Sequence, residues 1–181
     1  MAILDAFRRR SVRVATATVV AVVVFTALYF AFRPAPPNGG SGNEVGDKAP
    51  AWSAPIINGS GSLSSQATKG QWVILNFFAT WCVPCQQETP ELVSFAAAHH
   101  NSKSVRLVGV VYQDTPGSVR SFATAHGVTW PLVSNPEAKV TTDYAVLALP
   151  QTIVINPKGV VVDRFTGGVT AALLDKAISG R

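Results

Sequence analysis

A chain of 181 residues holds one ordinary domain with a sizeable core plus an appendage, and is too short for two large domains. Its formal charge of +5 sits at one end: five Arg against one Asp put +4 in residues 1–33, leaving +1 for everything after Arg33. A nearly neutral body has no basic stripe to neutralise phosphates, so the charge argues for membrane topology and against nucleic-acid binding.

Residues 14–32 form an uncharged, mostly apolar stretch bounded by Arg8, Arg9, Arg10 and Arg13 before it and Arg33 after it. As a helix it spans roughly 28 Å, close to the hydrocarbon thickness of a bilayer. Tyr29 and Phe30 stand near its far end, where aromatic rings favour the interface. The arginine asymmetry predicts that residues 1–13 are cytoplasmic and that everything after the span is extracytoplasmic. A cleaved secretory signal is the competing reading, but such signals carry an apolar region of about 7–15 residues and a small-residue cleavage site. The sequence offers neither a convincing cleavage site nor a lipobox cysteine, so the uncleaved anchor is preferred. Residues 33–46, rich in Pro, Gly, Asn and Ser, read as a flexible linker, and residues 47–181 as the folded domain.

Within that domain, residues 54–64 read as a short hairpin with Asn58-Gly59 in the turn. Residues 72–78 are a continuous apolar run with β-branched and aromatic members, as in a strand covered on both faces. That run leads straight into Trp81-Cys82-Val83-Pro84-Cys85. Leu92, Phe95, Ala96 and His99 recur at helical spacing and predict a helix over about 82–100. A buried strand is expected over 105–112, then a helix over 118–126 stopped by Gly127. Residues 129–133 read as a short edge strand, since Pro131 argues against a central one. A short helix over 138–144, a strand over 152–155, a turn over 156–159, its hairpin partner over 160–166 and a closing helix over 170–179 complete the chain. The order is that of an α/β domain with a mixed sheet flanked by helices. Trp52, Trp72 and Trp130 read as core or edge aromatics.

The chemistry rests on Cys82 and Cys85, the only two cysteines, placed between a strand and a helix. A helix N-terminus presents unpaired N–H groups and the positive end of the dipole, which stabilise a thiolate on Cys82. Cys85, one turn along, is close enough to displace a mixed disulfide and release the partner. Cys82 is therefore the candidate nucleophile and Cys85 the candidate resolving thiol. As a structural staple the pair closes so short a loop that chain entropy gives only about 2 kcal/mol. As half a zinc site it lacks ligands: His99 and His100 stand about 21 Å along the same helix, and only His126 remains. No metal is expected, and copper delivery lacks an obvious His partner.

The segments LNFFATWCVPCQQETPEL and LALPQTIVINPKGVVVDRFTG resemble the two signature segments of TlpA/ResA/DsbE-type proteins, and VGDKAPAW resembles their entrance to the domain. The resemblance covers about residues 45–179. It implies a thioredoxin-like fold with an extra N-terminal β-hairpin, an extracytoplasmic and commonly membrane-anchored protein, and, for several members, service in cytochrome c maturation. It also implies that Trp81 is the aromatic residue beside the pair, and that Pro150 is a cis-proline facing it. Leu149 would then offer backbone groups to an extended substrate segment. Glu88 resembles an active-site acid that exchanges protons with the thiols; without the resemblance it reads as a solvated carboxylate on the same helix. Two residues depart from relatives: Asn76 stands where thioredoxins proper have a buried Asp, and Gln151 where some DsbE proteins have Glu.

The reading is protein thiol:disulfide exchange, preferably as a reductant, with no cofactor beyond the cysteines. Expected partners are proteins with disulfides or thiols and a membrane electron donor or acceptor. Alternatives are a disulfide-forming oxidase of the same fold, a peroxiredoxin-like peroxidase using Thr80 and a nearby Arg, and a non-enzymatic metal- or partner-binding module.

Overall fold

The computed structural model describes residues 24–26, 28, 29 and 44–179. Most of the expected cytoplasmic N-terminus, membrane helix and linker lies outside the described residues. Residues 24–26, 28 and 29 are helical, and no helix among the described residues is long and apolar enough to cross a membrane.

The domain's first described residues lie along its last hairpin: Gly46 N–H donates to Val161 O at 2.8 Å, and Ala49 N–H to Gly159 O at 2.9 Å. Two short strands, β1 (Ser53–Pro55) and β2 (Ser62–Ser64), pair antiparallel. Asn58-Gly59 stands at the centre of their connection, as expected, in a loop that closes with Ile56 N–H on Gly61 O at 3.0 Å. Asn58 also makes tertiary contacts: its amide donates to Trp130 O at 2.9 Å and accepts from Leu132 N–H at 2.8 Å. A 3-10 turn over Ser65–Thr68, capped by Ser64, follows unforeseen.

The main sheet has five strands in the order β5 (Leu132–Val133), β4 (Val105–Val111), β3 (Trp72–Phe78), β6 (Gln151–Ile155) and β7 (Val161–Thr166). The β5–β4 and β4–β3 pairs are parallel, while β3–β6 and β6–β7 are antiparallel, so the sheet is mixed. Alternate residues of β3 face opposite sides. Ile74 and Phe78 join a core with Leu92, Phe95, Val119, Phe122 and Leu174, whereas Val73, Leu75 and Phe77 join a second core with Val108, Val110, Tyr144 and Ile153. A strand covered on both sides is why its sequence runs apolar without alternation.

Among the described residues of the domain, four α-helices accompany the sheet. α1 (Val83–Ala98) starts one residue later than expected, because Cys82 is its cap, and it continues through Pro90, which forgoes one backbone bond. α2 (Pro116–His126) starts two residues early. Thr115 Oγ1 caps it by accepting from Ser118 N–H at 3.1 Å, Pro116 fits the first turn, and Gly127 ends it at φ 66°. α3 (Lys139–Asp143) is shorter than expected and follows a 3-10 turn over Pro136–Ala138. α4 (Ala171–Ser179) closes the chain and meets the end of α1, where His99 Nε2 lies 2.7 Å from Asp175 Oδ1.

Candidate active site

The site is built where β3 ends and α1 begins. Cys82 has extended backbone angles, φ −81° and ψ 106°, and its Sγ accepts the Cys85 N–H at 3.3 Å. Its sulfur thus does the work of a capping oxygen. Pro84 lies within the first turn, where its missing N–H costs no helical bond. No acidic residue occupies that turn, so no side chain within it offsets the positive end of the helix dipole. Cys82 and Cys85 are joined as a disulfide with Cα atoms 5.2 Å apart. Both are buried, Cys85 more completely at 1% exposure.

The approach to the pair is held by its neighbours. Thr80 N–H and Oγ1–H both donate to Asp114 Oδ2, at 2.7 and 2.6 Å, and Gln86 Nε2 donates to Thr80 O at 2.6 Å. The indole N–H of Trp81 donates to Gln113 O at 3.1 Å, and Gln113 itself takes a φ of 44°. Asp114 Oδ1 also accepts from Thr115 N–H at 2.8 Å, which ties this clamp to the start of α2. Asp114 and Gln86 escaped the sequence reading, because neither carries a motif and Asp114 is 34 residues from Thr80.

The Leu149–Pro150 peptide bond is cis. A groove of about 530 Å³ runs between the two segments, lined by Trp81, Cys82, Val83, Pro84, Tyr112 and residues 146–149. Cys82 is in the lining and Cys85 is not. Trp81 is 58% exposed and Leu147 94%, so the rim is apolar and open. No backbone hydrogen bond among the described residues engages Leu147, Ala148 or Leu149. Their N–H and C=O groups are available to an added strand.

Glu88, three residues beyond Cys85 on α1, is outside the groove and buried at 4% exposure, which corrects the solvated reading. Its Oε1 accepts from Asn76 Nδ2 at 2.7 Å and its Oε2 from Val169 N–H at 3.0 Å. Burial pushes its pKa up, and these two hydrogen bonds pull part of the way back. The second N–H of Asn76 donates to Thr152 Oγ1 at 3.1 Å. Asn76 is thus the donor that secures a buried carboxylate, with Thr152 and Val169 as partners that the sequence did not single out. His99 and His100 stand at the opposite end of α1, apart from the cysteines.

Residues 45–164 match the AhpC/TSA family. The chain is 37% identical over 106 residues to the thiol-disulfide oxidoreductase ResA of Bacillus subtilis (strain 168), covering 59% of each chain. It is 31% identical over 138 residues to the thioredoxin-like protein YneN of the same organism, covering 76% of this chain and 80% of that one. The crystal structure of StoA from Bacillus subtilis superposes with a TM-score of 0.62 at 30% identity, covering 71% of this chain and 96% of that chain.

Proposed function

Because this chain belongs to the AhpC/TSA family, among its TlpA/ResA/DsbE-type thiol-disulfide oxidoreductases, we propose that Cys82 and Cys85 exchange disulfides with protein partners. The observation that carries this reading is a disulfide at a helix N-terminus with one sulfur-bearing residue on an open groove and the other behind it.

In the reducing direction, the Cys82 thiolate attacks a partner disulfide, one partner sulfur leaves as thiolate, and Cys82 is joined to the other. Cys85 then attacks Cys82 and releases the reduced partner, leaving the internal disulfide. The partner segment lies along the free backbone of residues 147–149, with Trp81 and Leu149 as apolar walls and Pro150 holding the loop against the pair. Glu88 is the nearby acid whose proton answers to the thiols. Reduction of protein disulfides outside the cytoplasm, as in cytochrome c maturation, is the preferred direction, with a membrane electron donor recharging the pair. In this arrangement residues 1–13 are cytoplasmic, 14–32 span the membrane, 33–46 form the linker and 47–181 the working domain.

The peroxidase alternative needs a free Thr hydroxyl and an Arg beside the attacking thiol. Thr80 spends its hydroxyl on Asp114 at 2.6 Å, and no Arg lines the groove.

Two substitutions test the roles. Cys82→Ser abolishes exchange, because no activated thiolate engages the partner, whereas Cys85→Ser still attacks and accumulates a covalent adduct that added dithiol releases. An adduct with Cys82→Ser alone would reverse the roles, and wild type without exchange activity would sink the reading.

A further inference from the structure

The indole Nε1–H of Trp130, on a residue 7% exposed, meets no acceptor among the described residues. A buried donor left so is rare and costly. It lies over Gly109, where a Cβ would stand 3.5 Å from Nε1 and only 2.5 Å from Leu132 Cδ2, so glycine keeps this space open. Gly109 is the register partner of Asn76 across the β3–β4 pair, which brings the indole N–H toward the polar cluster of Asn76, Glu88 and Thr152. A small void of about 10 Å³ has Trp130, Asn76, Thr89, Cys85, Phe122 and Leu132 in its wall. That is the size that admits a single water. Both N–H groups of Asn76 are taken by Glu88 and Thr152, whereas Thr89 Oγ1 donates to Cys85 O at 2.8 Å and keeps its lone pairs.

We propose that this void is a binding site for one water, which accepts from the Trp130 indole and donates to Cys85 Sγ and Thr89 Oγ1. The water has three partners, the usual number for a buried water. Its function follows from the exchange step and rests on the reading that Cys82 is the attacked sulfur. When an external thiolate attacks Cys82, a new S–S bond forms there, the Cys82–Cys85 bond breaks, and the electron pair departs on Cys85. That charge falls on a sulfur with 1% exposure, beyond the reach of bulk solvent. The held water is the donor that solvates it, and Trp130 is the positioning residue that holds the water. Cys85 shares α1 and its cap with Glu88 and Cys82; β3, β5 and α2 bring Asn76, Leu132 and Phe122 to the void, and Gly109 of β4 lies against Trp130, none of which titrates. Tyr112 lines the groove on the Cys82 side.

The test uses the full chain labelled with ¹⁵N and ¹³C. In wild type, a magnetisation-transfer cross-peak between the Trp130 indole proton and a long-lived water is expected, and its absence overturns the proposal. Trp130→Phe keeps an aromatic ring and deletes the donor. Reduction of its disulfide by dithiothreitol is expected to slow about tenfold, the scale of one hydrogen bond to a charged group. In a Cys82→Ser background, where Cys85 titrates alone, Trp130→Phe is expected to move the Cys85 titration to higher pH, followed by its ¹³Cβ shift. An unmoved titration overturns the role given to the water. Should Trp130→Phe fail to fold, the wild-type cross-peak alone decides. Wild type that exchanges disulfides normally without the cross-peak sinks the water site only, whereas wild type that exchanges none sinks the reading of Cys82.

Discussion

The carboxylate of Glu88 is held by two donors in a place from which bulk water is excluded, and desolvation raises its pKa above the ordinary 4.5. A carboxylate that titrates higher in the folded than in the unfolded chain binds its proton more tightly when folded. Its contribution to stability is therefore complete below the unfolded value and is lost as pH rises toward the raised folded value. Urea unfolding of the oxidised wild type is expected to show this decline above pH 4.5, and Glu88→Gln to show none of it. At the acid end the variant is expected to be less stable by about 1–3 kcal/mol, because an amide must turn its own N–H toward one of the two donors. The pH profile of thiol alkylation in the reduced protein is expected to change with it. An unaltered profile would make Glu88 a structural residue only.

The start of α1 depends on an element distant in sequence, the loop between β4 and α2. Asp114 receives both Thr80 donors and one from Thr115, so a single carboxylate joins the approach to the cysteines to the cap of α2. Asp114→Ala is expected to cost about 1–3 kcal/mol in stability and to slow disulfide exchange, since Trp81 and Cys82 lose their fixed approach. Exchange at the wild-type rate would show that Cys82 is positioned by its helix alone. Elements such as β3, β4 and the β6–β7 hairpin were legible in the sequence, because burial on both faces, or a turn between two apolar runs, leaves a local pattern. The cysteine pair was legible from its spacing, and the cis bond at Pro150 from resemblance alone. The Asp114 clamp, the Asn58 contacts to Trp130 and Leu132, and the burial of Glu88 were not, because each depends on a partner brought near only by the assembled sheet. Asn58-Gly59 marked the hairpin connection from local signal alone, whereas the use of the Asn58 amide on the edge strand did not show.

For the molecule as a whole, the arginine asymmetry about residues 14–32 and the proposed exchange reaction require the same side of a membrane. Full-length protein is expected in the membrane fraction, with the domain cleaved by protease added to the extracytoplasmic face. A soluble cytoplasmic protein would sink the topology, and a shortened secreted form would favour a cleaved signal. The groove beside the disulfide has a further consequence for how partners arrive. None of the side chains lining it is Asp, Glu, Lys, Arg or His. The lining side chains add no fixed charge beyond the Cys82 thiolate of the reduced protein, so they contribute little long-range steering and leave little for added salt to screen. The bimolecular rate constant for exchange with a neutral cysteine peptide is expected to stay within about twofold from low to high ionic strength, in the ordinary docking range of about 10⁵–10⁷ M⁻¹s⁻¹ or below. Selection among partners is then made after encounter, by whether a segment presents an apolar side chain and a free strand edge beside its sulfur.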